Sequence, residues 1–74
     1  MYTIVLMRDG RSVTSIGAPI RTLSEALKQV ESLRQGLDAT DIGQIVGCRW
    51  TTASGSICAL IVVNSIGEPI KSKN

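Results

Sequence analysis

Two cysteines, Cys48 and Cys58, a pair of acids, Asp38 and Asp41, and three arginines, Arg8, Arg11 and Arg49, are the side chains of this chain whose chemistry could be put to use. The thiols suggest a disulfide, and the two acids suggest a hard-cation site. One acid pair without further oxygen ligands at set spacing falls short of such a site, so capping or pairing with Arg34 is the expected role. No histidine is present anywhere. That removes the commonest general base, the commonest zinc ligand and every Ser-His or Cys-His nucleophile pair. The glycines fall at expected turns and strand ends rather than in a phosphate-binding loop. No catalytic, metal or cofactor-binding set is therefore expected, and the chain reads as non-enzymatic.

The stretch that must organise any site is Thr22 to Gly36. Leu23, Ala26, Leu27, Val30, Leu33 and Leu37 fall in one stripe roughly 120° wide at helical spacing. Thr22 and Glu25 match a capping box, and Gly36 suits the left-handed residue that closes a helix. Arg34 interrupts the stripe, where its stem is expected to cover apolar surface and its guanidinium to meet the last carbonyls, Asp38 or Asp41.

Strands are expected on both sides of this helix. Tyr2 to Arg8 and Arg11 to Ile16 flank Asp9-Gly10, a strong two-residue hairpin signal. With that loop, Arg8 faces Arg11, Leu6 faces Val13 and Ile4 faces Ser15, so Ile4, Leu6 and Val13 are expected under the helix. Gly17 to Ile20 should end the second strand. Ile45 to Thr52 and Ser56 to Val63 form a second hairpin around Ser54-Gly55, which sets Trp50 against Ala59 and Cys48 against Ile61. That register puts Cys48 and Cys58 on opposite faces and predicts buried free thiols rather than a bridge. The phrase Ser15-Ile16-Gly17-Ala18-Pro19-Ile20 returns as Ser65-Ile66-Gly67-Glu68-Pro69-Ile70, here taken as a recurring strand ending rather than a duplication.

The expected fold is thus α+β in the order ββαββ, one amphipathic helix on one face of a four-stranded, mainly antiparallel sheet. The first and last strands, the most apolar, are expected as central neighbours. Residues 1–70 should make one domain and 71–74 a frayed polar tail.

Eight basic and six acidic residues leave +2, a weak field for nucleic acid and the wrong sign for a DNA mimic. Neither apolar run, Tyr2 to Met7 nor Ile57 to Val63, is long enough for a signal-peptide core or a bilayer crossing. No membrane association is expected, and the expected location is the cytoplasm.

One helix covers one sheet face only, so the other should expose Val5, Met7 and Ile16 together with Cys58, Leu60 and Val62 or their neighbours. Apolar patches of that kind mark partner or dimer interfaces. The candidate partner-binding residues are Val5, Met7, Arg8, Arg11, Arg49 and Trp50, and the partner is expected to be a protein engaged through this face or the sheet edge, a second copy of the chain included, with DNA or RNA bound by the hairpin arginines as the second choice.

The order Arg8-Asp9-Gly10-Arg11, strand, then helix from Thr22 resembles integrase arm-binding domains and similar small sheet-plus-helix DNA readers. That resemblance implies major-groove contacts from Arg8, Arg11 and Arg49, although the aromatics such domains stack are missing. In size, element order and spare apolar face the chain, read as complete, is similar to compact phage-encoded inhibitors, anti-CRISPR proteins among them. This second resemblance implies a protein that blocks a host protein complex, and it is the preferred expectation.

Overall fold

The computed structural model describes residues 1–72. It is an α+β fold of one helix and an antiparallel sheet with five strands, one more than expected: β1 (Tyr2–Arg8), β2 (Arg11–Ile20), α1 (Leu23–Leu37), β3 (Thr40–Asp41), β4 (Gly47–Thr51) and β5 (Ile57–Val63). The spatial order is β2-β1-β5-β4-β3. The two most apolar strands, β1 and β5, are indeed neighbours inside the sheet. The added strand is a two-residue pairing of Thr40 with Arg49 and Asp41 with Cys48, in a segment whose polar residues carry no strand signal.

Helix α1 begins as its sequence dictates, with the Thr22 hydroxyl accepting from the Glu25 N–H at 3.2 Å. It runs past Gly36. The left-handed residue is Asp38, at φ 54°, ψ 40°, with its N–H returned to the Arg34 and Gln35 carbonyls. Asp tolerates this conformation better than most residues, and closing there lets Ala39 enter the core. The helix buries Ala26 and Val30, while Leu27 and Leu37 stay exposed, so the apolar stripe is narrower than its composition suggests.

Both hairpin registers differ from expectation by one residue beyond the turn. In the first, Asp9 and Gly10 form the loop with positive φ at both, and Arg8 faces Arg11 and Met7 faces Ser12. Leu6 then faces Thr14 and Ile4 faces Ile16. Val13 is the extra residue of a bulge, and it is 56% exposed rather than under the helix. Every later residue moves across the sheet, so Ile16 joins the covered core instead of the open face. In the second hairpin the loop has three residues, closed by Thr52 N–H to the Ser56 carbonyl at 2.9 Å, with Gly55 at φ 90°. Trp50 consequently faces Cys58, and Cys48 faces Leu60.

Both cysteines therefore lie on the helix-covered face, correcting their expected placement on opposite faces; they are nonetheless buried and free. A diagonal pair sits roughly 7–8 Å apart, outside disulfide reach.

The core is Ile4, Ile20, Val30, Cys48, Leu60 and Val62 with Ala26 and Ala39. Gly47 is required where β4 crosses β5, because a Cβ there would lie 2.2 Å from the Leu60 carbonyl oxygen.

After β5 the chain folds back. The Asn64 side-chain oxygen accepts from the N–H groups of Ile66 and Glu68, and Ile70 N–H donates to the Val62 carbonyl while Val46 N–H donates to that of Ile70. Lys71 pairs with Ile45 and Ser72 donates to the Gln44 carbonyl. These two residues are thus tied down rather than frayed; positions 73 and 74 of the expected tail lie outside the described residues. No helix among the described residues is long and apolar enough to cross a membrane.

Candidate partner-binding surfaces

Strand alternation sorts the candidate residues between two faces. In register, Leu6-Leu60-Cys48 and Ile4-Val62 form rows under the helix, and Met7-Ala59-Arg49 and Val5-Ile61-Gly47 form the rows between them on the opposite side. With Thr3 and Val63 these rows make an open face that no described element covers. Val5, Met7, Ala59, Ile61 and Val63 are all partly exposed there. The second hairpin thus contributes the neighbours of Cys58, Leu60 and Val62, the three residues themselves being buried.

The patch spans three strands by about six residues, on the order of 300 Å². Arg49 is the charged residue within its rows. The carboxylates sit elsewhere: Glu25, Glu31 and Asp38 on the helix and its cap, Asp41 opposite Cys48 on the covered side, and Glu68 in the C-terminal turn. Asp9 is occupied at the hairpin tip, where its carboxylate accepts from Ile57 N–H at 2.9 Å and its own N–H donates to the Ile57 carbonyl at 2.8 Å.

The structure divides the six candidate residues. Val5, Met7 and Arg49 share the open face. Trp50 is half-buried against the core on the other side. Arg8 and Arg11 stand opposite one another at the tip, exposed, in the row of Cys58 and Trp50. Among the described residues none of the three arginines forms an ion pair; the pairs present are Arg34 with Glu31 and with Asp41. Arg34 also donates to the Ala39 carbonyl at 3.3 Å, so it ties the helix end to β3 as its position in the stripe suggested. The hydrogen bond from Arg34 is the main reason that the Glu31 carboxyl is held below the usual range. No group of three or more metal-ligating side chains occurs among the described residues.

The long edge strand β2 is poorly suited to pairing with another chain. Its ladder is broken at Val13 and again where Gly17 to Pro19 bulge between the Ile4 and Tyr2 pairings, and bulges, proline and an end arginine are devices that blunt a sheet edge.

The opposite edge is different, and composition had not marked it. There β3 begins only at Thr40 and leaves a groove of about 720 Å³ beside the end of β4. Leu37, Asp38, Thr40, Arg49, Trp50, Thr51 and Ile57 line it. Ile57 is 57% exposed and Leu37 42% exposed. Two candidate residues on opposite faces, Arg49 and Trp50, are brought together here because they flank the same strand edge.

Comparison with protein families, with curated proteins and with solved structures returns no significant match for this chain.

Proposed function

We propose that this chain is a small non-enzymatic protein-binding module that uses its open sheet face, in its sharpest form a phage-encoded inhibitor of the anti-CRISPR type acting in the cytoplasm on a host protein complex. One observation carries the reading. The face opposite the helix presents Val5, Met7, Ala59, Ile61 and Val63 side by side with a single arginine and no carboxylate in its rows. A contiguous apolar patch of this size on a small domain is commonly functional. The patch alone is smaller than the roughly 800 Å² per partner of a standard interface, so it serves as a dry centre surrounded by a polar rim of Ser12, Ser15, Thr40 and Thr51. Arg49 adds the residue type that most often dominates binding energy.

Immobilised protein, incubated with nuclease-treated bacterial lysate, is expected to capture a defined protein that the double variant Val5→Asp with Ile61→Asp does not. Capture that disappears on nuclease treatment would instead support the DNA-reading arrangement of Arg8, Arg11 and Arg49. A variant that captured the same protein as the wild type would refute the assignment to this face.

A further inference from the structure

The ladder of hydrogen bonds across β4 singles out one residue. Thr52 N–H donates to the Ser56 carbonyl and Val62 N–H to that of Val46, so the even-numbered residues of this stretch point their main-chain groups at β5. The odd-numbered residues point the other way. Gly47 receives Ile42 N–H at 3.3 Å, and Arg49 pairs with Thr40. Thr51 is next in the series and would pair with position 38. Asp38, however, has left the sheet as the helix cap, and its N–H is committed to the Arg34 and Gln35 carbonyls. The Thr51 N–H and C=O therefore face the groove with no hydrogen-bonding partner among the described residues.

We infer that this groove takes one extended segment of another protein, which continues the β3 ladder by pairing with Thr51. The side chains around the vacancy define the segment. A residue opposite Thr51 exchanges two main-chain hydrogen bonds with it, and its neighbours point toward the covered side, where the exposed flanks of Trp50 and Leu37 would receive apolar side chains. Its own side chain lies on the Ile57 and Arg49 side. Arg49 lies on that same side with no ion pair among the described residues, so a carboxylate fits beside it. The occupant is thus an apolar-acidic-apolar strand. This surface shares Arg49 and the rim residues Thr40 and Thr51 with the open face, and it adds to the protein-binding reading without depending on it.

Selection from a displayed library of random dodecapeptides against the immobilised full chain tests the inference. Enriched sequences are expected to alternate apolar and acidic residues and, as synthetic peptides, to slow exchange of the Thr51 amide on binding. Thr51→Pro removes only an outward-facing donor and is expected to weaken such a peptide about tenfold, the effect of losing one hydrogen bond. N-methylation of the peptide tests the same contact from the ligand side, without altering the fold: loss should be confined to the residue that pairs with Thr51. Arg49→Glu should shift the enriched sequences from acidic to basic. An empty selection, peptides indifferent to Thr51→Pro and to N-methylation, or sedimentation showing the groove filled by a second copy would each overturn the inference. Peptides that bind equally well to Thr51→Pro yet are lost in Val5→Asp with Ile61→Asp would refute the groove while leaving the open-face reading intact.

Discussion

Replacing Gly47 by alanine tests the sheet on which both surfaces depend. A Cβ at this position would lie 2.2 Å from the Leu60 carbonyl oxygen and 3.1 Å from the Ile61 Cα. The obstacle is main chain and cannot rotate away. The strands must separate by about 0.8 Å merely to reach 3.0 Å, the closest approach of real Cβ atoms, and they would do so beside Cys48, Leu60 and Val62, all buried. Overpacking costs about 1–3 kcal/mol, and a rigid obstacle in the sheet centre places this case at about 3. A chain of this length has a total stability of about 4–11 kcal/mol, so the midpoint should fall by about 12–24 °C. Gly36→Ala is the control. It lies within α1 with nothing within 4 Å of its would-be Cβ, and it should gain about 0.5–1 kcal/mol. Thermal unfolding followed by circular dichroism reads both. A Gly47→Ala midpoint within about 3 °C of wild type would refute the packing argument.

Three further outcomes follow from the same geometry. Cys48 and Cys58 are buried, so both should react with a thiol reagent only as fast as the protein opens, with full reaction in denaturant. Burial raises the Cys48 thiol above its usual range; the folded state then holds its proton more tightly, and stability should be constant at neutral pH and decline as pH rises above about 8.5. The Arg34 hydrogen bond lowers the Glu31 carboxyl, which gives the opposite sign: its contribution is present above about pH 4.3 and is lost as pH falls through the folded-state value. Arg34→Met should flatten that acid limb in denaturant titrations.

The parts of the fold that were legible in the sequence are those set by local chemistry. Thr22 caps the helix, Asp9-Gly10 turns the first hairpin, and strands apolar on both faces lie inside the sheet. What escaped depends on counting. One extra residue at Val13 and one at the second turn each move a whole strand segment across the sheet, which is why Val13 and Ile16 exchange faces and why the cysteines share one. The bulge has no local signature, because Val13 is as suited to a regular strand as its neighbours. The repeated Ser-Ile-Gly-x-Pro-Ile phrase makes the same point. After Thr14 it continues along β1, whereas after Asn64, whose side chain accepts two backbone N–H groups, it reverses direction. Val5 and Met7 lie on the open face as expected because β1 kept its alternation, whereas Arg49, expected opposite Leu60, lies opposite Ala59. The groove was not legible, since it arises where β3 begins, and nothing in Leu37 to Gln44 marks that point.

Methionine oxidation footprinting of the captured complex tests the central claim most directly. Met7 stands on the open face, partly exposed with its sulfur accepting from the Ser12 hydroxyl. The account predicts that partner binding slows peroxide oxidation of Met7 severalfold. Equal oxidation of Met7 in the free and bound protein would contradict it.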